Sequence, residues 1–252
     1  GLAGWAFYFM LRKQLPKPEH PLQVAEPHSG GLVAVVAVVI LGCFYLFSLA
    51  GGLLPSPSEN VGAAIQAIAG LSFIALLVYA LARANWDGKS LLQALHRPHF
   101  STGKLIGFGF LGFCMNLPVL VALVSMLEWL LRRFPASHPA TEALQQNPSA
   151  LALISLFISA AVVAPIWEEI AFRGFLFRGI AVSTKSWVFA LVLSSLIFAA
   201  IHPQGPALIL MLGWIGFMGG LLTMTTRSIL PAIVMHAIHN GFIVILSTTI
   251  MS

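Results

Sequence analysis

Two adjacent carboxylates, Glu168 and Glu169, stand in the stretch APIWEEIAFRG (164–174), directly after eighteen residues that carry no charge. Arg173 follows four residues after Glu169. Two further stretches, FAAIH (198–202) and HAIHN (236–240), hold most of the other conspicuous polar groups of the C-terminal half. Each has an i, i+4 spacing, which sets two groups on one helix face: Glu169 with Arg173, Phe198 with His202, and His236 with Asn240. Glutamate beside a neutral imidazole makes a base for activating water. A second imidazole and an amide on a facing helix are donors to a developing oxyanion, each worth about 3–4 kcal/mol. Neither cysteine stands near these groups, and the serines and threonines form no nucleophile signature. Water, base and oxyanion donors together describe hydrolysis of an acyl bond, most naturally a peptide bond.

The elements that must position these groups follow from composition. Of 252 residues, 58% are hydrophobic and 8% charged, and the mean hydropathy is +0.92. A soluble domain carries about 25% charged residues, so this chain cannot cover a water-facing surface. Apolar windows of about the 20 residues that cross a bilayer recur at 31–50, 61–82, 105–127, 150–167, 187–201, 206–226 and 229–251. The expected fold is an all-α polytopic membrane protein of seven to eight transmembrane helices with a C-terminal four-helix catalytic core. Residues 1–11 are apolar but too short to span alone, and read as the tail of an eighth helix, a signal-peptide remnant or an interfacial segment. Residues 131–149 form the long polar linker, which divides an N-terminal group of spans (1–149) from the C-terminal core (150–252). Cys43 and Cys114 both lie in apolar spans, giving neither a disulfide framework nor a metal spacing. Pro118 and Pro165 are expected to kink their helices, and Asn116 to satisfy backbone freed by Pro118.

The net charge of +5 sits in loops, where it sets orientation; no nucleic-acid partner is expected. Eleven basic residues fall on one side of the seven-span arrangement and only Arg132 and Arg133 on the other. The turns at Lys185 and Arg227 are therefore assigned to the cytoplasmic side. Glu168 and His202 each lie 17 residues from Lys185, roughly 25 Å up two antiparallel arms, so carboxylate and imidazole come level. His236 and Asn240 enter the next helix at a compatible depth. Helix counting thus puts the cluster more than halfway toward the face opposite the basic turns.

The ordered motifs EExxxR, FxxxH and HxxxN, intact here as EEIAFR, FAAIH and HAIHN, resemble those of the CPBP intramembrane proteases. That family includes the type II CAAX prenyl endopeptidases and the bacteriocin-processing or self-immunity (Abi) proteins. The resemblance covers about residues 150–252. It implies a glutamate-dependent endopeptidase with Glu168 as general base and His202 helping to hold and activate the water. His236 and Asn240 would form the oxyanion hole, Glu169 and Arg173 a supporting pair that fixes the helix, and Phe198 would pack beneath His202. It implies no metal or cofactor, a peptide or membrane-protein substrate, and a prokaryotic plasma (inner) membrane location. No residue of the sequence marks a prenyl-binding groove.

Other readings compete. The same polar residues could be interhelical glue in a non-catalytic scaffold, an immunity-type protein or an accessory subunit of a larger membrane complex. A proton-coupled transporter would use intramembrane carboxylates, but no internal repeat supports it. Glu168, Glu169, His202, His236 and His239 are zinc-ligand types, yet there is no HExxH; His239 reads as structural, or as a substitute within the site. Glu128 is expected to form a helix-end ion pair with the following arginines, and Trp86, Trp129 and Trp187 to anchor at interfaces.

Overall fold

The computed structural model describes residues 100–133, 150–202 and 208–251. The expected spans at 31–50 and 61–82, residues 1–11, Cys43 and Trp86 lie outside the described residues. All regular elements within them are helices. They are α1 (Thr102–Met126), α2 (Glu128–Arg133), α3 (Ala150–Ile158), α4 (Ala164–Glu169), α5 (Phe177–Thr184), α6 (Trp187–Ala200), α7 (Ile209–Thr226) and α8 (Leu230–Met251). Two π-helical segments, Ser159–Val163 and Ile170–Leu176, join α3 to α4 and α4 to α5. Residues 150–184 therefore form one continuous helical run whose hydrogen-bond register changes twice.

Among the described residues, four helices are long and apolar enough to cross a bilayer: Thr102–Met126, Ala150–Ala181, Ile209–Thr226 and Leu230–Thr249. They make the chain an integral membrane protein. The fifth apolar helix, α6, is shorter, as expected for 187–201. Large apolar side chains such as Phe110, Val121, Leu151, Val188, Leu196 and Ile245 are exposed; in a bilayer these face acyl chains.

Both tight turns use one device. Lys185 and Arg227 close α5 and α7 in the left-handed region, each with φ 55°. A serine follows each and starts the next helix. Ser186 Oγ accepts from Phe189 N at 3.3 Å, and Ser228 Oγ accepts from Leu230 N at 3.1 Å. Each hydroxyl satisfies a donor that the helix start leaves unpaired.

Apolar burial between helices gains little inside lipid, so close packing must hold the bundle together. Phe113, Leu120, Ile215, Met218, Leu222 and Met235 form the core where α1, α7 and α8 meet. A second cluster, Phe177, Ala181, Ala190 and Leu191, closes the α5–α6 hairpin. Pro118 lies inside an unbroken 25-residue α1. Asn116 does not serve backbone freed by that proline, as expected, but donates through Nδ2 to Met235 Sδ at 3.1 Å on α8. The exposed Glu128–Arg132 ion pair does form, and Arg133 lies over the Trp129 ring.

Gly109 permits the tightest approach of α1 to α8. A Cβ there would stand 2.6 Å from Val234 Cβ and 2.8 Å from the Pro231 carbonyl oxygen, whereas one at Gly107 would meet nothing within 4 Å. Gly109→Ala should therefore destabilise the bundle by about 1–3 kcal/mol through overpacking. Gly107→Ala, one half-turn away, should be neutral. Thermal unfolding of the two variants in detergent provides the comparison.

Candidate active site

Glu168 and Glu169 follow each other at the end of α4, so on a regular helix their side chains diverge by about 100°. Both are nevertheless buried, at 6% and 0% exposure, because other helices enclose this stretch on several sides. Their environments differ sharply. Glu169 Oε1 accepts from Arg173 Nη1 at 2.8 Å and from His236 Nδ1 at 2.9 Å. Glu168 Oε2 has no hydrogen-bond partner within the protein. It lies 3.8 Å from His202 Nε2 and 3.8 Å from His236 Nε2. Glu168 and His202, 17 residues to either side of Lys185, thus meet at this separation.

Arg173 belongs to the π-helical segment after α4 and reaches two helices at once. Its Nη1 holds Glu169 while its Nη2 donates to the Gly216 carbonyl of α7 at 2.8 Å. Glycine at 219 makes room for it, since a Cβ there would lie 3.1 Å from Nη2. The guanidinium carbon also sits 4.6 Å from the Phe198 ring centroid, a cation–π distance. Phe198 is the shared floor of the site. Its ring lies 4.6 Å from His202, 5.8 Å from His236 and 4.9 Å from Phe172, all between centroids. Phe198 thus touches every cationic or imidazole group of the cluster.

His202 lies two residues beyond the end of α6. Its Nδ1 contacts the Phe198 carbonyl one turn back, which fixes the ring with Nε2 toward Glu168. At 16% side-chain exposure it is more open than Glu168, at 8%, and His236, at 5%.

Asn240, one turn beyond His236 on α8, has a second engagement that the sequence does not reveal. Its Nδ2 donates to the Ala160 carbonyl oxygen at 2.9 Å. The π-helical register explains why that carbonyl is free. The Ala164 N–H bonds to Ser159 O, five residues back. The next bond in that register would come from residue 165 to Ala160, but Pro165 has no N–H. The Asn240 amide fills the vacancy. Before Pro165 the helix thus carries a π-turn bridged by a side chain from α8. One Nδ2 hydrogen is committed there and the second is not.

His239, read as structural, has its Nδ1 buried without a hydrogen-bond partner. Sequence reasoning also missed the direct link from His236 to Glu169. Its only sequence signal is that EE and H both recur in the ordered motifs.

The bridge makes a specific prediction. Asn240→Ala leaves the Ala160 carbonyl unpaired and should cost about 1–3 kcal/mol. Pro165→Ala supplies an N–H at the missing position, so the double variant should recover part of that loss. A double-mutant cycle on unfolding in detergent reads the coupling; additive effects would mean that the amide and the proline act independently.

Comparison with known proteins bears on the same region. Residues 150–242 match the family described as type II CAAX prenyl endopeptidase Rce1-like. The chain is also similar to a Bacillus subtilis protein named "Putative membrane peptidase YdiL", with 28% identity over 210 residues, covering 83% of this chain and 82% of that protein. No solved structure matches the chain. The stretch that carries both glutamates, His202, His236 and Asn240 is thus the stretch that matches that family.

Proposed function

We propose that the chain is a glutamic-type intramembrane endopeptidase that hydrolyses peptide bonds of peptide or membrane-protein substrates. The carrying observation is the contrast between the two carboxylates. Glu169 Oε1 accepts two hydrogen bonds, although its Oε2 accepts none, whereas Glu168 Oε2 is buried, unpartnered and faced by two imidazole nitrogens at 3.8 Å. A buried acceptor left open calls for a further explanation, and a water between the three atoms supplies one. The family match and the relative's name support a membrane peptidase, and the bacterial relative favours a prokaryotic plasma membrane. Prenyl specificity is not part of the proposal.

In this reading Glu168 takes a proton from the water, and the hydroxide oxygen bonds to the scissile carbonyl carbon. The carbonyl π electrons move to oxygen, giving an oxyanion that faces His236 and the free N–H of Asn240. The C–N bond then breaks, and the leaving nitrogen takes the proton held by Glu168. Water is consumed, and a carboxylic acid and an amine leave. His202, held by the Phe198 carbonyl, orients the water. Arg173, Glu169 and Phe198 keep the partners in register.

The test is substitution in liposomes with a reporter peptide. Glu168→Ala and His202→Ala should each reduce cleavage to background, while Glu128→Ala, at an exposed ion pair, should leave it unchanged. Wild-type cleavage by either of the first two variants overturns the assignment. A non-catalytic scaffold would show no cleavage in any form, wild type included.

A further inference from the structure

Asn240 has one amide and two calls on it. One Nδ2 hydrogen goes to the Ala160 carbonyl oxygen at 2.9 Å, and the peptidase reading gives the other to the oxyanion. Both hydrogens lie in the plane of the amide, so a bond that holds one also sets the direction of the other. The side chain cannot hold that direction unaided, because the terminal torsion of an asparagine is broad. The Ala160 carbonyl is therefore the anchor that aims the free hydrogen. Its reach is short: a Cβ at Gly241, the next residue, would stand 3.5 Å from Ala161 Cβ and 3.5 Å from the Phe157 ring. Helix α8 thus lies against the π-helical segment at this point.

The anchor is available because of one residue. The Ala164 N–H bonds to Ser159 O, and the next donor in that register is missing because residue 165 is a proline. Pro165 is buried in α4 and precedes Glu168 by three residues, a rise of about 4.5 Å. The turn that carries the base therefore also leaves bare the carbonyl that holds the donor. Any other residue at 165 would bring an N–H to the Ala160 carbonyl. That oxygen has two lone pairs, so the new N–H would compete with the Asn240 amide and loosen it rather than displace it outright. We infer that Pro165 is a positioning residue for the reaction, which acts through Asn240 by keeping the Ala160 carbonyl free to aim its amide. The inference rests on the peptidase reading, but the state of the amide can be read without turnover.

The experiment is a double-mutant cycle on kcat, with the full chain in liposomes and a reporter peptide. Asn240→Ala should lower kcat about 100-fold, the typical loss of one oxyanion donor. Pro165→Ala should lower it by about 10-fold, a part of that loss, with KM unchanged because ground-state binding is untouched. The double variant should be no slower than Asn240→Ala, although Pro165→Ala restores part of its stability. The same chain labelled with ¹⁵N-asparagine in lipid nanodiscs gives the second reading, the Asn240 signals being assigned by their loss in Asn240→Ala. One Nδ2 hydrogen should exchange slowly with solvent in the wild type and about 10-fold faster in Pro165→Ala. Rapid exchange of both hydrogens in the wild type overturns the inference, and that result stands even if the variant does not fold. Wild-type kcat in Pro165→Ala overturns it too, as does a change confined to KM. So does an equal fold loss of kcat in both backgrounds, which would make the proline a helix-shaping residue indifferent to the amide. These results leave the peptidase reading intact, whereas wild-type cleavage by Glu168→Ala removes that reading and leaves the exchange result to be judged alone.

Discussion

One carboxylate oxygen, Glu169 Oε1, accepts a guanidinium hydrogen from its own helical run and an imidazole hydrogen from α8, at 2.8 and 2.9 Å. The second arm of the same guanidinium grips the Gly216 carbonyl of α7. Two side chains thus tie three helices at one depth. Lipid supplies no competing water there, so loss of any partner leaves the others unpaired; breaking a buried ion pair costs about 3–5 kcal/mol. The glycines at 216 and 219 belong to the same constraint. A side chain at 216 would approach Ser195 Cα at 3.2 Å, and one at 219 would crowd the guanidinium. Fixing Glu169 in this way leaves its neighbour Glu168 free of structural duty.

The backbone around the glutamates is adapted to the same end. A π-turn precedes α4 and another follows it, and such turns recur at functional sites. The first leaves the Ala160 carbonyl without a bond, because Pro165 cannot donate, and α8 answers with Asn240. Asn240 and His236, one turn apart on α8, therefore clamp residues 160 and 169 of the neighbouring run. That pair of cross-links sets how α8 faces the carboxylates.

Much of this was legible in the residues. The i, i+4 pairs in EEIAFR, FAAIH and HAIHN, counted from the basic turns, bring Glu168, His202 and His236 to one place, and they meet there at 3.8 Å. Phe198 beneath His202 also followed from spacing. The two π-turns did not, because Ser159–Val163 and Ile170–Leu176 contain nothing that distinguishes a π from an α register. Without that register the free Ala160 carbonyl is invisible, and so is the engagement of Asn240. Asn116 was misread for a related reason. Its proximity to Pro118 in sequence suggested a local role, whereas packing against Met235 of α8 decides its partner.

The position of the cluster along the bundle completes the argument. Helix α6 ends after 14 residues, a rise of about 21 Å against roughly 30 Å of hydrocarbon. The other described membrane helices run longer. His202 stands just past that early end, is more exposed than Glu168 and His236, and turns Nε2 inward to Glu168. Non-helical backbone at such a depth is tolerated only against protein or a water-lined cavity. On the proposed peptidase reading, a helix that stops short beside the unpartnered Glu168 Oε2 would leave water a way to that carboxylate. The same helix continued by two more turns would seal it.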